Sequence, residues 1–563
     1  MRAEVAANGG RRRHHLVILA VAGVVASAWL IDARPSALLE PSARASVGRF
    51  LRGLYPPDLS WSFLAVVARG AGRTIAIAIA GTALAAIVAL PLGLLGTGTL
   101  FRRGPLVDGA LGSPGRFALA AMSAAARAAL GALRAVPDFF WALVFVVGFG
   151  LGPLAGVLAL AVSYGGVLGH VFADLFEDVD PRPLGALRAT GATRGQIFVF
   201  GIWPQARASV LGYALYTFEC NVRAATVLGL VGAGGIGYEI ALSMRLLEYG
   251  QIVTLVAALL TLQWLAEAAS TALRRTLRAN APPGALGHRR ATREAPGGAT
   301  RAIVAFASVA AVVACAFEIG LFDRGVFDGA AGARIARFAR GLVPPEVSPG
   351  FLASLVRPAA QTVAISVIGT LLGVILGAPL GAAAAARDAE EARAERAERW
   401  PRRTVRRLCV VILALLRAGP EALWVLVFIL AVGIGPFAGA LALGAHTAGV
   451  LGKLYAQTIE EVSPLPLRGL RATGASPLQI LVWGVWPEAR RTLISYTLLR
   501  WEMNLRASTI VGLAGGGGIG IALYNNVQLG FYPEVATLII AIAIPVAAMG
   551  WLGDRIRRQL GAA

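Results

Sequence analysis

The chain has 563 residues, 57% of them hydrophobic and only 15% charged, with a mean hydropathy of +0.68. That balance excludes an ordinary soluble globular protein and points to lipid as the solvent. A net charge of +21 does not mark a nucleic-acid surface, because the arginines fall in short stretches between long apolar runs without aromatic and basic interleaving.

Arg11 to Arg13 precede the apolar run Leu16 to Ile31, which resembles a signal peptide, but no small-residue cleavage site follows and a retained first helix is expected. Further spans are expected near 73–97, 118–150, 154–174, 205–229 and 251–272, because a hydrocarbon core of ~30 Å takes ~20 apolar residues per helix. The uncharged run Phe139 to Gly169 is too long for one helix, and Gly152-Pro153 is its natural break. The linker Arg274 to Arg301 carries Pro282-Pro283, Gly284, Gly287, Gly297 and Gly298, a loop composition. Spans then recur near 302–321, 359–386, 408–434, 437–456, 488–513 and 534–552, about twelve in all. Residues 387–403 are charged all round and read as a solvated helical hairpin. Residues 32–72 and 322–357 read as loops.

Internal repetition organises the whole. TIAIAIAGTALAAIVALPLG at Thr74 returns as TVAISVIGTLLGVILGAPLG at Thr362, an offset of 288, and RAVPDFFWALVFVVGFGLGPLAGVLALA at Arg134 returns as RAGPEALWVLVFILAVGIGPFAGALALG at Arg417, an offset of 283. The expected organisation is a six-helix repeat over 1–273, a linker over 274–301 and a second six-helix repeat over 302–563. An even number of spans per repeat relates the copies by parallel duplication and puts both termini on one side. The arginine-rich stretches at 11–13, 102–103, 274–301, 387–407 and 555–558 share that side, which charge bias makes the cytoplasm. Cys220, Cys315 and Cys409 share no metal or redox spacing and read as core thiols.

Each repeat carries LRATGA, at Leu187 and Leu470, and a glycine followed thirteen residues later by proline, Gly191 to Pro204 and Gly474 to Pro487. This pattern resembles the coupling loop of binding-protein-dependent ABC importers. NVRAATVLGLVGAGGIG (221–237) and NLRASTIVGLAGGGGIG (504–520) resemble the permeases of phosphonate and phosphite importers, here as two copies fused in one chain. The resemblance implies an all-α polytopic membrane protein of two tandem six-helix permease repeats. It places Leu187, Arg188, Ala189, Thr190 and Gly191, with Leu470, Arg471, Ala472, Thr473 and Gly474, against a separate ATPase subunit present in two copies. ATP and Mg would reside on that partner, with no cofactor in this chain, and an extracytoplasmic substrate-binding protein would deliver the cargo. Where the family usually has a glutamate six residues before the glycine, this chain has Gly185 and Arg468.

The string G-x-G-x-x-G is formally present twice, but a dinucleotide site needs a preceding strand and a βαβ unit. Gly234, Gly235 and Gly237, with Gly517, Gly518 and Gly520, read instead as a tight re-entrant turn, and the resemblance makes it part of an outer gate; a purely structural turn is the other reading. Lys453 lacks the glycine and hydroxyl residue of a P-loop, Thr447 and Leu454 standing there, so the chain reads as a transport subunit without its own ATPase site. His170, His446 and Lys453 fall in one span of each copy, Lys453 aligning with His170, and read as helix-end side chains.

The fifth spans hold Glu219, Asn221 and Arg223 in one copy and Glu502, Asn504 and Arg506 in the other. One reading is an i,i+4 glutamate to arginine pair that neutralises both charges. The other is a substrate pathway lined by these residues together with Arg134 and Arg417, since ionisable groups within a membrane often mark a route. An importer permease moving phosphonate, phosphite or a related oxyanion accounts for the duplication, the paired loops and the missing P-loop together. A secondary anion transporter without an ATPase partner is the alternative, with Glu219 and Glu502 as its candidate carboxylates.

Overall fold

The computed structural model of the chain describes residues 18, 21–53, 55–101, 113–278, 298–321, 329–385 and 400–562, and among them no strand occurs. The first repeat runs α1 (Val21–Leu30), α2 (Pro41–Gly53), α3 (Trp61–Gly96), α4 (Ser113–Ala135), α5 (Asp138–Phe149), α6 (Pro153–Glu177), α7 (Pro181–Ala189), α8 (Trp203–Leu228), α9 (Gly235–Arg245) and α10 (Tyr249–Arg278). The second repeats this order as α11 (Gly298–Glu318), α12 (Gly329–Gly341), α13 (Pro349–Ala384), α14 (Trp400–Ala418), α15 (Glu421–Val432), α16 (Pro436–Glu461), α17 (Pro464–Ala472), α18 (Trp486–Val511), α19 (Ile519–Leu529) and α20 (Tyr532–Ala562). Among the described residues seven helices are long and apolar enough to cross a membrane, or up to ten if each bent pair is one span. Val21–Leu30 and Val309–Glu318, at the start of each repeat, are shorter apolar helices. The solvated hairpin expected at 387–403 and most of the linker lie outside the described residues.

Local chemistry sets the breaks. Gly150 and Gly152 hold φ of +86° and +151°, and Pro153 follows at the first helical position, where its missing N–H costs nothing; Gly433, Gly435 and Pro436 repeat the device. The third span is not one helix. It breaks at Pro137, and in the second repeat the segments either side of Pro420 meet at 97°, because proline removes a donor and restricts the residue before it. The stretches expected as loops are a second correction: 32–72 contains α2 and the start of α3, and 322–357 contains α12 and the start of α13. The long helices start early because Ser60 and Ser348 cap them, accepting from the N–H of Phe63 and Phe351.

Two compact units form, and they are not the sequence repeats. One comprises Met1–Gly53 with Gly341–Ala563, the other Leu54–Arg340. In the first, Ile31 and its neighbours Val24 and Ala28 pack on Ile365 and Ile368 of α13 and Ala440 of α16. In the second, α11 packs against α3, and Arg334 of α12 donates to the carbonyl of Gly148 at 2.7 Å. The first helix of each repeat thus groups with the later helices of the other repeat. Within each unit the longest contact joins the second and fourth spans, α3 with α6 and α13 with α16. Small residues permit it: a Cβ on Gly93 would stand 2.8 Å from the Gly169 carbonyl oxygen. In lipid such close backbone approach supplies the attraction that water would otherwise drive.

Candidate coupling and translocation sites

Each LRATGA sequence closes a nine-residue helix. In α7 the N–H of Gly191 reaches the Arg188 carbonyl at 2.9 Å and that of Ala192 reaches the Leu187 carbonyl at 3.3 Å; in α17 Gly474 and Ala475 bond to Arg471 and Leu470 at the same distances. These are Schellman caps, and they require the left-handed backbone that Gly191 and Gly474 adopt at φ of +81° and +79°. Thr190 and Thr473 add a hydroxyl bond to the same leucine carbonyls, each 2.7 Å. Inward, Leu184 and Leu467 are buried over Gly201 and Gly484, where a Cβ would come within 2.6 Å of either leucine. Outward, Ala189, Thr190 and Gly191 are exposed, as are Ala472, Thr473 and Gly474.

A second cap follows at once. Thr193 and Gln196 exchange bonds at 2.8 and 3.4 Å, and Ser476 and Gln479 do so at 2.7 and 3.4 Å. One turn of π-helix, Phe198–Ile202 or Ile480–Val485, then runs into α8 or α18 at Trp203 or Trp486. The short helix is thereby joined to the fifth span through hydrogen-bonded backbone, a path that transmits a rigid-body displacement. Gly185 and Arg468, at the position of the family's glutamate, are both exposed.

The glycine strings bend the chain between α8 and α9 by 56° and between the corresponding segments of repeat two by 67°. Gly232, Gly234 and Gly235 lie at φ of +104°, +80° and +76°, and Gly515, Gly517 and Gly518 at +100°, +75° and +74°. Gly237 and Gly520 are helical but leave no room, a Cβ there meeting the Thr226 or Thr509 carbonyl oxygen. The turn is anchored twice: Thr74 accepts from the Ile236 N–H at 2.9 Å, as Thr362 does from Ile519, and Gly152 donates to the Gly232 carbonyl at 3.0 Å, as Gly435 does to Gly515 at 3.1 Å. Backbone groups at this kink are thus satisfied by protein, as the membrane interior demands.

The fifth-span residues separate. Asn221 and Asn504 are fully buried and do not line open space; Asn221 donates to Thr82 at 2.8 Å, and Asn504 donates to Thr370 at 2.9 Å while accepting from Thr447 at 3.1 Å. These bonds tie span five to span two, and Asn504 to span four as well. Arg506 and Glu502 form the expected i,i+4 pair at 3.1 Å, but Glu219 pairs instead with Arg274 of α10 at 2.7 Å. Arg223 is half-buried, and its Nε, itself buried, makes no hydrogen bond among the described residues. Arg134 and Arg417 end α4 and α14, where their backbone nitrogens lie close against Gly166 and Gly449.

One cluster escaped the sequence. Arg500 donates to Glu421 at 3.2 Å and to His446 Nδ1 at 2.7 Å, with the Thr447 hydroxyl 3.5 Å from its Nε. His446 is therefore an interior residue and not a helix-end side chain. His446 Nδ1 also lies 3.1 Å from Glu421 Oε1, so all three side chains meet in one cluster. The first repeat has Asp138, Ser163 and Thr217 at these positions, so the ion pair belongs to one half alone. The available signal was the asymmetry itself, a charge present in one copy and absent from its twin. His170 lies 3.9 Å from Asp174, which with Glu177 faces Arg127.

Residues 114–279 and 377–562 each match the family described as the binding-protein-dependent transport system inner membrane component. The phosphate-import permease protein PhnE of Mycolicibacterium smegmatis is 32% identical over 536 residues, 95% of this chain and 93% of that one. The putative phosphite transport system permease protein HtxC of Stutzerimonas stutzeri is 36% identical over 250 residues, 44% of this chain and 82% of its own. The putative cryptic phosphonate transport system permease protein PhnE2 of Escherichia coli is 40% identical over 119 residues, 21% of this chain and 98% of its own. The chain belongs to the binding-protein-dependent transport system inner membrane components, a multi-pass ABC importer permease that carries two such membrane domains in one polypeptide.

Proposed function

We propose that the chain imports a phosphorus oxyanion (phosphate, phosphite or a phosphonate) across the cytoplasmic membrane, powered by a separate ATPase subunit bound in two copies and fed by an extracytoplasmic binding protein. The observation that carries this is the pair of Schellman-capped helices, α7 and α17, with matching hydrogen bonds and outward-facing tips. Two equivalent contact elements on one chain suit two equivalent ATPase subunits. Leu187 to Gly191 and Leu470 to Gly474 are the coupling residues in this reading, and the exposed side chains of Phe200 and Trp483 beside them add apolar contact. The relatives' oxyanion names support the cargo class. The kinked glycine turns serve as the outer gate, and Arg223 is the fifth-span cation available to attract an anion.

The test is reconstitution of the chain in liposomes with its ATPase and binding protein, following radiolabelled phosphate or phosphite uptake and ATP hydrolysis. Hydrolysis stimulated by loaded binding protein, and uptake only with ATP, are expected. Uptake driven by an ion gradient without the ATPase would overturn the reading in favour of a secondary transporter.

A further inference from the structure

Behind the π-helical turn of the second repeat lies a cavity of about 300 Å³, lined by α13, α16, the π turn and α18. In the first repeat aromatic rings occupy the corresponding positions. There Phe172 and Phe176 of α6 are buried and packed in sequence with Phe198, ring centroids 6.4 and 5.2 Å apart. The 283-residue offset puts Tyr455, Ile459 and Leu481 at those three positions, and all three line the cavity. Two phenyl rings have become shorter aliphatic groups, and Tyr455 turns its hydroxyl to Thr497 at 2.6 Å. The wall is therefore apolar apart from one satisfied hydroxyl pair, so water has little to bind there.

A dry apolar space of this size, about twice a cavity of ~150 Å³ that binds benzene, has room for hydrocarbon. Its open side is marked by Trp486 and Ile494, 51% and 37% exposed. Arg490 lies one turn from each of these on the same face of α18, with Arg491 beside it; both are exposed, and neither forms an ion pair among the described residues. The first repeat keeps one of these cations, Arg207, with Ala208 next to it. Tryptophan and arginine at the mouth of an apolar space match the headgroup level of a bilayer. We propose that this cavity holds an acyl chain of an anionic phospholipid whose phosphate sits against Arg490 and Arg491. The site adjoins the turn that links α17 to α18, so its occupancy bears on that joint and distinguishes the two halves of the transporter.

The experiment uses the full chain in nanodiscs containing phosphatidylglycerol with a diazirine in its acyl chain, and maps photolabelled peptides by mass spectrometry. Labelling of the Tyr455 to Ile459 and Leu481 to Thr497 segments is expected. Leu481→Phe and Ile459→Phe, tested singly, each restore one of the two rings that fill the first repeat; each methylene denied burial weakens retention about fourfold, so excluding two lowers labelling about fifteenfold. Arg490→Gln with Arg491→Gln alters only the surface and should cut the preference for phosphatidylglycerol over phosphatidylcholine by about fivefold per arginine. Labelling unchanged by either phenylalanine overturns the cavity assignment. Equal labelling by a diazirine alkane without a headgroup, or an unchanged lipid preference in the glutamine variant, overturns the phospholipid assignment.

Discussion

Replacing Gly191 or Gly474 by alanine tests the coupling helices most sharply, because neither position is crowded. No heavy atom lies within 4 Å of a Cβ added at either, so the whole cost comes from the left-handed backbone at φ of +81° and +79°. That conformation costs an L side chain about 1–2 kcal/mol. Loss of glycine's freedom in the unfolded chain returns about 0.4–1 kcal/mol, leaving a net of ~1 kcal/mol or fivefold in the ratio of capped to uncapped helix. If the ATPase binds only the capped form, each substitution weakens its binding by up to about fivefold, and the double variant by up to about 25-fold if the loops act independently, the full factors applying where the uncapped form predominates. Gly185→Ala is the matched control: it lies in the same helix, is equally open and has no positive φ, so it should leave binding unchanged or slightly tighter. Gly191→Asn should fall between the two, since asparagine tolerates this backbone. Titration of ATPase onto nanodisc-held permease reads all five variants. Binding by Gly191→Ala equal to that by Gly185→Ala would refute the reasoning.

Thr74→Val and Thr362→Val keep side-chain shape but strand the buried N–H of Ile236 or Ile519; each should cost about 1–3 kcal/mol, seen as a lower unfolding temperature in detergent. Exchanging Glu502 and Arg506 preserves their pair and should be tolerated. The same exchange at Glu219 and Arg223 sets an arginine against Arg274 and should cost roughly 3–5 kcal/mol, so equal expression of both exchanges would contradict the assigned pairing. Asp58 and Glu346, at the starts of α3 and α13, have carboxyls held below their usual range by hydrogen bonds from Ser60 and Ser348. A depressed folded value means their stabilisation is present above the ordinary carboxylate pKa of ~4 and is lost as pH falls through the lower folded value. Asp58→Asn and Glu346→Gln should flatten the acid limb of a plot of unfolding temperature against pH, and an unaltered limb would count against the role given to these bonds.

What the sequence determined alone were properties carried by neighbours along the chain. Span length follows from runs of apolar residues, the Gly152-Pro153 break from two residues' dihedral limits, and the caps at Gly191 and Gly474 from a local motif. The duplication needed only comparison of the chain with itself. The Pro137 and Pro420 breaks were equally local, and the signal was simply outweighed by the apolar run around them. Helices α2 and α12 were hidden because arginine-rich amphipathic segments resemble loops when only hydropathy is read.

Tertiary structure decided which distant groups meet. Glu219 turned from Arg223, four residues away, to Arg274, and Asn221 and Asn504 were committed to threonines of the second span. Arg500, His446 and Glu421, far apart in sequence, formed a cluster with no linear pattern. The grouping of each first helix with the other repeat was likewise invisible, because α1 is apolar enough to pack on either copy and nothing within it names the partner. In lipid every apolar helix is equally soluble, so the choice falls to complementary surfaces and paired polar groups, which exist only once the helices are brought together.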